Sequence, residues 1–160
     1  YCHLFGLQAW MFRFANVVGG RMGHGVIYDF IQKLKRNPRE MEILGDGEQE
    51  KPFFLVEDCL DGMFTAYQHS AAWCDVFNLG PTTTTKVNRV AEIVAEEMGL
   101  KGVHFRYTGG SRGWPGDVPV VFLDVSKIKR LGWEARHTSD EAVRLAARRL
   151  LEKDKGPYQA

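Results

Sequence analysis

What this 160-residue sequence lacks narrows the reading first. No apolar run approaches the ~20 residues that a helix needs to cross a bilayer, so no spanning helix is expected. The apolar opening, YCHLFGLQAWMFRFANVVGG, carries Arg13 in its middle and has no basic start, so no secretory signal is expected there. Charge of one sign is missing too: 21 Lys and Arg face 20 Asp and Glu, a formal net charge of +1. Without a large one-sign field, bulk binding to nucleic acid or to an anionic membrane is not expected. The three cysteines, Cys2, Cys59 and Cys74, fall at no metal-ligand or disulfide spacing, which suits a reducing cytoplasm. Five scattered histidines offer no ligand pair, so zinc is not expected. There is no phosphate loop ending in Gly-Lys-Ser/Thr, no dinucleotide-binding glycine fingerprint, no nucleophile elbow and no Tyr-x-x-x-Lys pair.

What is present reads as an ordinary globular chain with one core, 44% hydrophobic and 26% charged. GLQAWMFRFANVV is nearly continuous in apolar residues and predicts a strand buried on both faces, as in a helix-covered parallel sheet. Arg13 inside it then needs a buried partner, a carboxylate or carbonyls. GGRMGHG, 19–25, is a glycine-rich loop. Ile27, Phe30, Ile31 and Leu34 recur at helical spacing, and that helix stops before Pro38. MEILG and PFFLV predict short strands around a Gly45-Asp46-Gly47 turn. A helix from Glu57 sets Leu60, Met63, Phe64 and Tyr67 on one face. CDVFNLG and VHFRYTG are further strands. Thr85 is placed to cap a helix with the stripe Val87, Val90, Ala91, Val94 and Met98. GGSRGWPGD, 109–117, is a loop, VPVVFLD is extended, and VSKIKRLGW is a short helix. A last helix from about Asp140 turns Val143, Ala147, Leu150 and Leu151 inward. Trp73, Trp114 and Trp133 are expected to pack. Strands alternating with helices make the fold α/β.

Three loops set a basic or amide group beside glycines: Asn16 with GGR, GDGEQEK, and SRGWPGD. Each alone is unspecific, and Lys51 or Arg112 reads equally well as a solvated surface charge. Gathered at one edge of an α/β unit, a lysine and an arginine suit a diphosphate, and an acid such as Asp117 suits sugar hydroxyls. His24 is the one histidine inside such a loop.

The order RFANVVG, GVIYDFI, ILGDGEQEKPFFLVEDC, FNLG, GWPGDV, LDVSKIKRLGW resembles the C-terminal half of the extended short-chain dehydrogenase/reductases. More narrowly it is similar to the NAD-dependent nucleotide-sugar epimerases and dehydratases, UDP-glucose 4-epimerase among them. The resemblance implies the last strands of a Rossmann-type parallel sheet plus the small substrate-binding lobe. Residues 1–160 are then one fragment, the end of the NAD-binding domain interleaved with that lobe. The glycine-rich cofactor half and the catalytic Tyr-x-x-x-Lys dyad would precede it, and Tyr1 would be the tail of the dyad's helix. No catalytic residue is therefore expected in this chain.

The same resemblance implies roles for particular residues. Phe14 and Val17 would lie near the nicotinamide of NAD. Asn16 would hydrogen-bond the nucleotide-diphosphate sugar, with Gly25 and Val26 offering backbone to its diphosphate and nucleoside. Glu42 and Leu44 stand on the base-flanking strand. Lys51 takes the place of the family's diphosphate-gripping arginine, keeping the charge without the bidentate fork. Pro52 stands where an aspartate is usual. Asp117 fits the ribose acid, whereas Trp114 occupies the position of a usual arginine, so Arg112 serves only if its loop bulges. Losses at Lys51 and Asp117 would nearly add if the two do not touch. The implied parent is a cytoplasmic, homodimeric enzyme acting on a UDP-sugar, a hexose 4-epimerase. The alternatives are a 4,6-dehydratase, a non-catalytic nucleotide-sugar-binding domain, or a dehydrogenase of a small unlinked substrate.

Overall fold

A computed structural model describes residues 1–154. In chain order the elements are α1 (Cys2–Phe5), β1 (Ala9–Phe14), β2 (Asn16–Val18), α2 (Val26–Arg36), β3 (Glu40–Ile43), β4 (Glu50–Lys51), β5 (Phe53–Leu55), α3 (Val56–His69), β6 (Cys74–Leu79), β7 (Thr85–Lys86), α4 (Val87–Glu97), β8 (His104–Tyr107), α5 (Ser126–Lys129) and α6 (Ser139–Asp154). β1 pairs with β6, β2 with β5 and β3 with β8, all parallel, while β4 and β7 pair antiparallel. The α/β expectation therefore holds, with parallel pairing between strands joined by helices.

The long apolar run is not one strand. It breaks at Ala15, whose amide donates to Leu79 O at 2.9 Å, while the next amide, that of Asn16, donates to Pro52 O at 2.9 Å. The chain thus leaves the β1–β6 pair and joins the β2–β5 pair within one residue. Nor is β1 buried on both faces: Met11 is 47% and Phe14 46% exposed, since β6 is its one strand partner among the described residues. Arg13 is accordingly exposed, so the buried partner expected for it is not required.

Two apolar cores form on opposite sides of β5. Successive side chains of a strand point to opposite faces, so Phe53 and Leu55 enter one core and Phe54 the other. The first core contains Ile27, Phe30, Ile31 and Leu34 of α2, Val90, Ala91 and Val94 of α4, and Val143 and Ala147 of α6, the predicted helical stripes. The second contains Cys59 and Ala66 of α3, Phe77 and Leu79 of β6, Ile128 of α5 and Trp133. α3 therefore turns Cys59, Gly62 and Ala66 inward, and the larger Leu60, Phe64 and Tyr67 stand exposed. The small residues win because Trp133 presses on this helix: a Cβ on Gly62 would lie 2.9 Å from its Cε2 atom. Of the three tryptophans expected to pack, Trp133 does, while Trp73 and Trp114 are exposed.

Thr85 does not cap α4; it belongs to β7 and serves α6 instead. Its hydroxyl donates to Asp140 Oδ1 at 2.6 Å and lies 2.8 Å from Ser139 Oγ. Ser139 is fully buried and acts as a junction. Its amide donates to Thr83 Oγ1 (2.8 Å), and its Oγ accepts from the Phe53 amide (2.9 Å). Thr84 donates to Glu50 Oε1. The threonine run 82–85 thus contributes three hydroxyls, those of Thr83, Thr84 and Thr85, that tie the β4–β5 segment to the start of α6. VPVVFLD runs beside β4 without becoming a full strand: it pairs through Val120 with Glu50, and Glu50 N donates to Pro119 O at 2.7 Å.

Candidate functional site

The break at Ala15 opens a cleft of about 580 Å³ where β2, the glycine-rich loop, β4 and the 113–118 turn meet. Ligands of α/β sheets bind at such crevices, where neighbouring strands part company. Seven residues singled out from the sequence line it: Phe14, Asn16, Val17, Gly25, Val26, Lys51 and Asp117. His24 lines it as well. Asn16 is held at the cleft by its own backbone bond to Pro52. Gly25 takes a positive φ of 94° as α2 begins, a conformation that a side chain would strain. It leaves the first amides of α2 free of intrahelical partners at the cleft wall, a suitable place for an anion.

Lys51 is held by a partner distant in sequence. Its ammonium lies 2.6 Å from Asp117 Oδ1, with both side chains largely buried at 16% and 12% exposure. It also donates to Val118 O. The pairing of Glu50 with Val120 brings this turn alongside β4. The second carboxylate oxygen of Asp117 accepts from the Gly113 amide at 3.1 Å. Burial alone pushes the Asp117 carboxyl up, but the hydrogen bonds from Lys51 and Gly113 and the lysine's charge outweigh it. The group ends below the ordinary carboxylate range. Lys51 is therefore neither a solvated surface charge nor a free cation; it and Asp117 act as a unit on the cleft wall.

The remaining candidates fall elsewhere. Leu44 lines a second, smaller cavity of about 150 Å³ that shares Val26, Val87, Trp114 and Asp117 with the cleft. Glu42 lines neither; its carboxylate accepts from Arg106 at 2.6 Å and its carbonyl from Lys33 at 2.9 Å. Arg112 is exposed and donates to Pro115 O at 3.3 Å, so its loop turns it away from the cleft. Trp114, expected as a packing residue, lines both cavities instead. Gln49, also at the smaller cavity, carried no distinguishing signal in the sequence beyond the GDGEQEK loop.

The cleft of this α/β unit thus brings together a cation–carboxylate pair, a helix N-terminus and an amide. The chain belongs to the NAD dependent epimerase/dehydratase family, whose model matches residues 1–80. A putative UDP-glucose 4-epimerase of Methanocaldococcus jannaschii is 28% identical over 148 residues, 90% of this chain and 46% of that protein. The crystal structure of a UDP-galactose 4-epimerase superposes with a TM-score of 0.83 at 37% identity, covering 96% of this chain and 48% of that one. A UDP-glucose 4-epimerase from Thermotoga maritima, solved with UDP-glucose, gives a TM-score of 0.77 at 28% identity, again covering 96% and 48%. The chain thus spans about half the length of the relatives it matches.

Proposed function

We propose that this chain supplies the nucleotide-sugar-binding half of an NAD-dependent nucleotide-sugar epimerase of the UDP-hexose 4-epimerase kind. One observation carries the reading: Asn16, Gly25, Val26, Lys51 and Asp117, spread over a hundred residues of sequence, line a single cleft. In the proposed complex the diphosphate lies between Lys51 and the first amides of α2, Asp117 meets the ribose, and Asn16 reaches the sugar end. The other half would carry the dinucleotide-binding glycine fingerprint and the Tyr-x-x-x-Lys dyad, neither of which is found in these 160 residues. Bound NAD would supply reversible hydride transfer to and from the sugar. Phe14 and Val17, both apolar and partly exposed at the cleft, fit one side of its nicotinamide ring. This chain's own residues bind and orient the substrate, and narrow water's access to it.

Calorimetric titration of the chain with UDP-glucose tests this. One saturable site is expected, weakened about 10- to 100-fold by Lys51→Ala, since a charge-assisted hydrogen bond contributes about 1.5–3 kcal/mol. Lys51→Arg is expected to bind nearly as well. Absence of binding, or equal affinity in Lys51→Ala, would remove the reading.

A further inference from the structure

Cys2 and Cys74 show no disulfide spacing in the sequence, but the fold brings their side chains together. β1 and β6 run parallel with Ala9 opposite Cys74, and the Ala9 amide donates to Trp73 O at 2.9 Å. Ahead of β1, Gly6 ends α1 in the left-handed region, at a φ of 64°. A Cβ on Gly6 would lie 3.8 Å from Trp73 Cζ3, so the end of α1 rests on the residue before Cys74. Cys2 opens α1 and Cys74 opens β6. Their thiols are hydrogen-bonded, and this bond is the first cause that holds the Cys74 thiol above its ordinary value. Cys74 is exposed and Cys2 half-buried. Cys59, by contrast, is buried in the second core, and burial alone pushes its thiol up.

We propose that Cys2 and Cys74 form a redox-sensitive dithiol, a modification site that a low-molecular-weight disulfide oxidises to a bridge between α1 and β6. Such exchange proceeds by thiolate attack through a mixed disulfide. Exposure makes Cys74 the first to meet the reagent. Its sulfur bonds to one sulfur of the reagent, whose S–S bond breaks and releases one thiol. The Cys2 thiolate then attacks the Cys74 sulfur, the mixed disulfide breaks, and the second thiol leaves. Each cysteine gives up one proton and one electron, and the reagent takes them up as its two thiols. Because the thiolate is the nucleophile and the Cys74 thiol is held up, the first step quickens as pH rises. The contact between the two sulfurs favours the second step over release of the reagent. The bridge closes a loop that contains β1 to β5, and with them Asn16, Gly25 and Lys51 of the cleft. Redox state at one edge of the sheet thus bears on the stability of the segment that carries the ligand contacts.

Peptide mapping by mass spectrometry without reduction, after the folded chain has met oxidised glutathione at mildly alkaline pH, tests the proposal. The peptides that hold Cys2 and Cys74 are expected to be joined within one copy of the chain, and a reducing agent to separate them. Cys59 is expected to react with an alkylating reagent only after denaturation. The bridge is expected to raise the melting temperature by about 4–16 °C over the reduced chain. Cys2→Ser is expected to stop at the mixed disulfide on Cys74 and to show no such rise. A Cys74 that stays free or remains a mixed disulfide in the unsubstituted chain overturns the proposal. So does a bridge between two copies, a bridge to Cys59, or a Cys2–Cys74 bridge that lowers the melting temperature, since each means that the two sulfurs do not meet in the native fold. Should Cys2→Ser fail to fold, the mapping of the unsubstituted chain decides alone.

Discussion

Lys51→Met and Asp117→Asn, made singly and together, probe the contact on which the cleft wall depends. Either single change leaves the other group with less than it needs. Without Lys51, Asp117 keeps only backbone amides, those of Gly113 and Val118; without the Asp117 charge, the ammonium keeps only neutral acceptors, the Val118 carbonyl among them. At 2.6 Å, and with side chains only 16% and 12% exposed, the pair lies between a surface ion pair and a fully buried one. A coupling of about 1.5–3 kcal/mol is expected, the range for hydrogen bonds to charged groups. The double variant should therefore lose less than the sum of the singles by that amount. With about 2–4 °C per kcal/mol for a domain of this size, the shortfall is about 3–12 °C in melting temperature. Thermal unfolding followed by circular dichroism at pH 7 measures it, and added salt should reduce it only slightly, since buried pairs are weakly screened. Losses that add to within about 0.3–0.5 kcal/mol would show that the pair does not form in solution. The near-additivity expected from the sequence presumed that these groups do not touch; they do.

The purified 160-residue chain is expected to show no UDP-galactose to UDP-glucose conversion, because it contains no Tyr-x-x-x-Lys pair; robust turnover in a coupled assay would contradict this. The exposed apolar flank, with Met11, Phe14, Phe64 and Tyr67, should bind a hydrophobic dye and promote self-association, as checked by fluorescence and light scattering; a dilute monomer without dye binding would oppose it. Asp117, held below its ordinary range, contributes stability that is complete above the unfolded-state value of about 3.9 and is lost as pH falls through the folded value. Asp117→Asn should therefore flatten the acid limb of a stability–pH profile. Gly62→Ala should cost about 1–3 kcal/mol in denaturant unfolding, since its Cβ would meet Trp133 Cε2 at 2.9 Å and Leu79 Cδ2 at 3.0 Å.

Helices α2, α4 and α6 were legible in the sequence because each carries a broad stripe of medium-sized apolar residues at helical period, and such a stripe faces the core wherever the helix docks. α3 was misleading for the same reason. Its largest apolar residues form the outer face, and what selects the inner face is the bulk of Trp133, seventy residues away in sequence. The break at Ala15 was equally hidden, because nothing local separates a continuous strand from one that changes partners. At the site, Asn16, Gly25, Val26, Lys51 and Asp117 could be picked out by residue type and resemblance. That Lys51 and Asp117 hold each other could not, since the contact spans 66 residues. Arg112 and Glu42 matched by type, but loop geometry and the Arg106 ion pair direct them elsewhere. Gln49 looked like any loop glutamine until its burial was known.

The Ser139 junction bears on how the protein is made. Phe53 N reaches Ser139 Oγ across 86 positions, and the Lys51 carbonyl meets the same oxygen at 3.4 Å across 88. During synthesis, then, the strand that carries Lys51 leaves the ribosome long before the residue that anchors it. The cleft cannot mature until the start of α6 has emerged and folded back, a late loop closure that slows folding. A ribosome stalled at residue 130 would present a nascent chain with most of the cleft's side chains and no lasting affinity for its ligand.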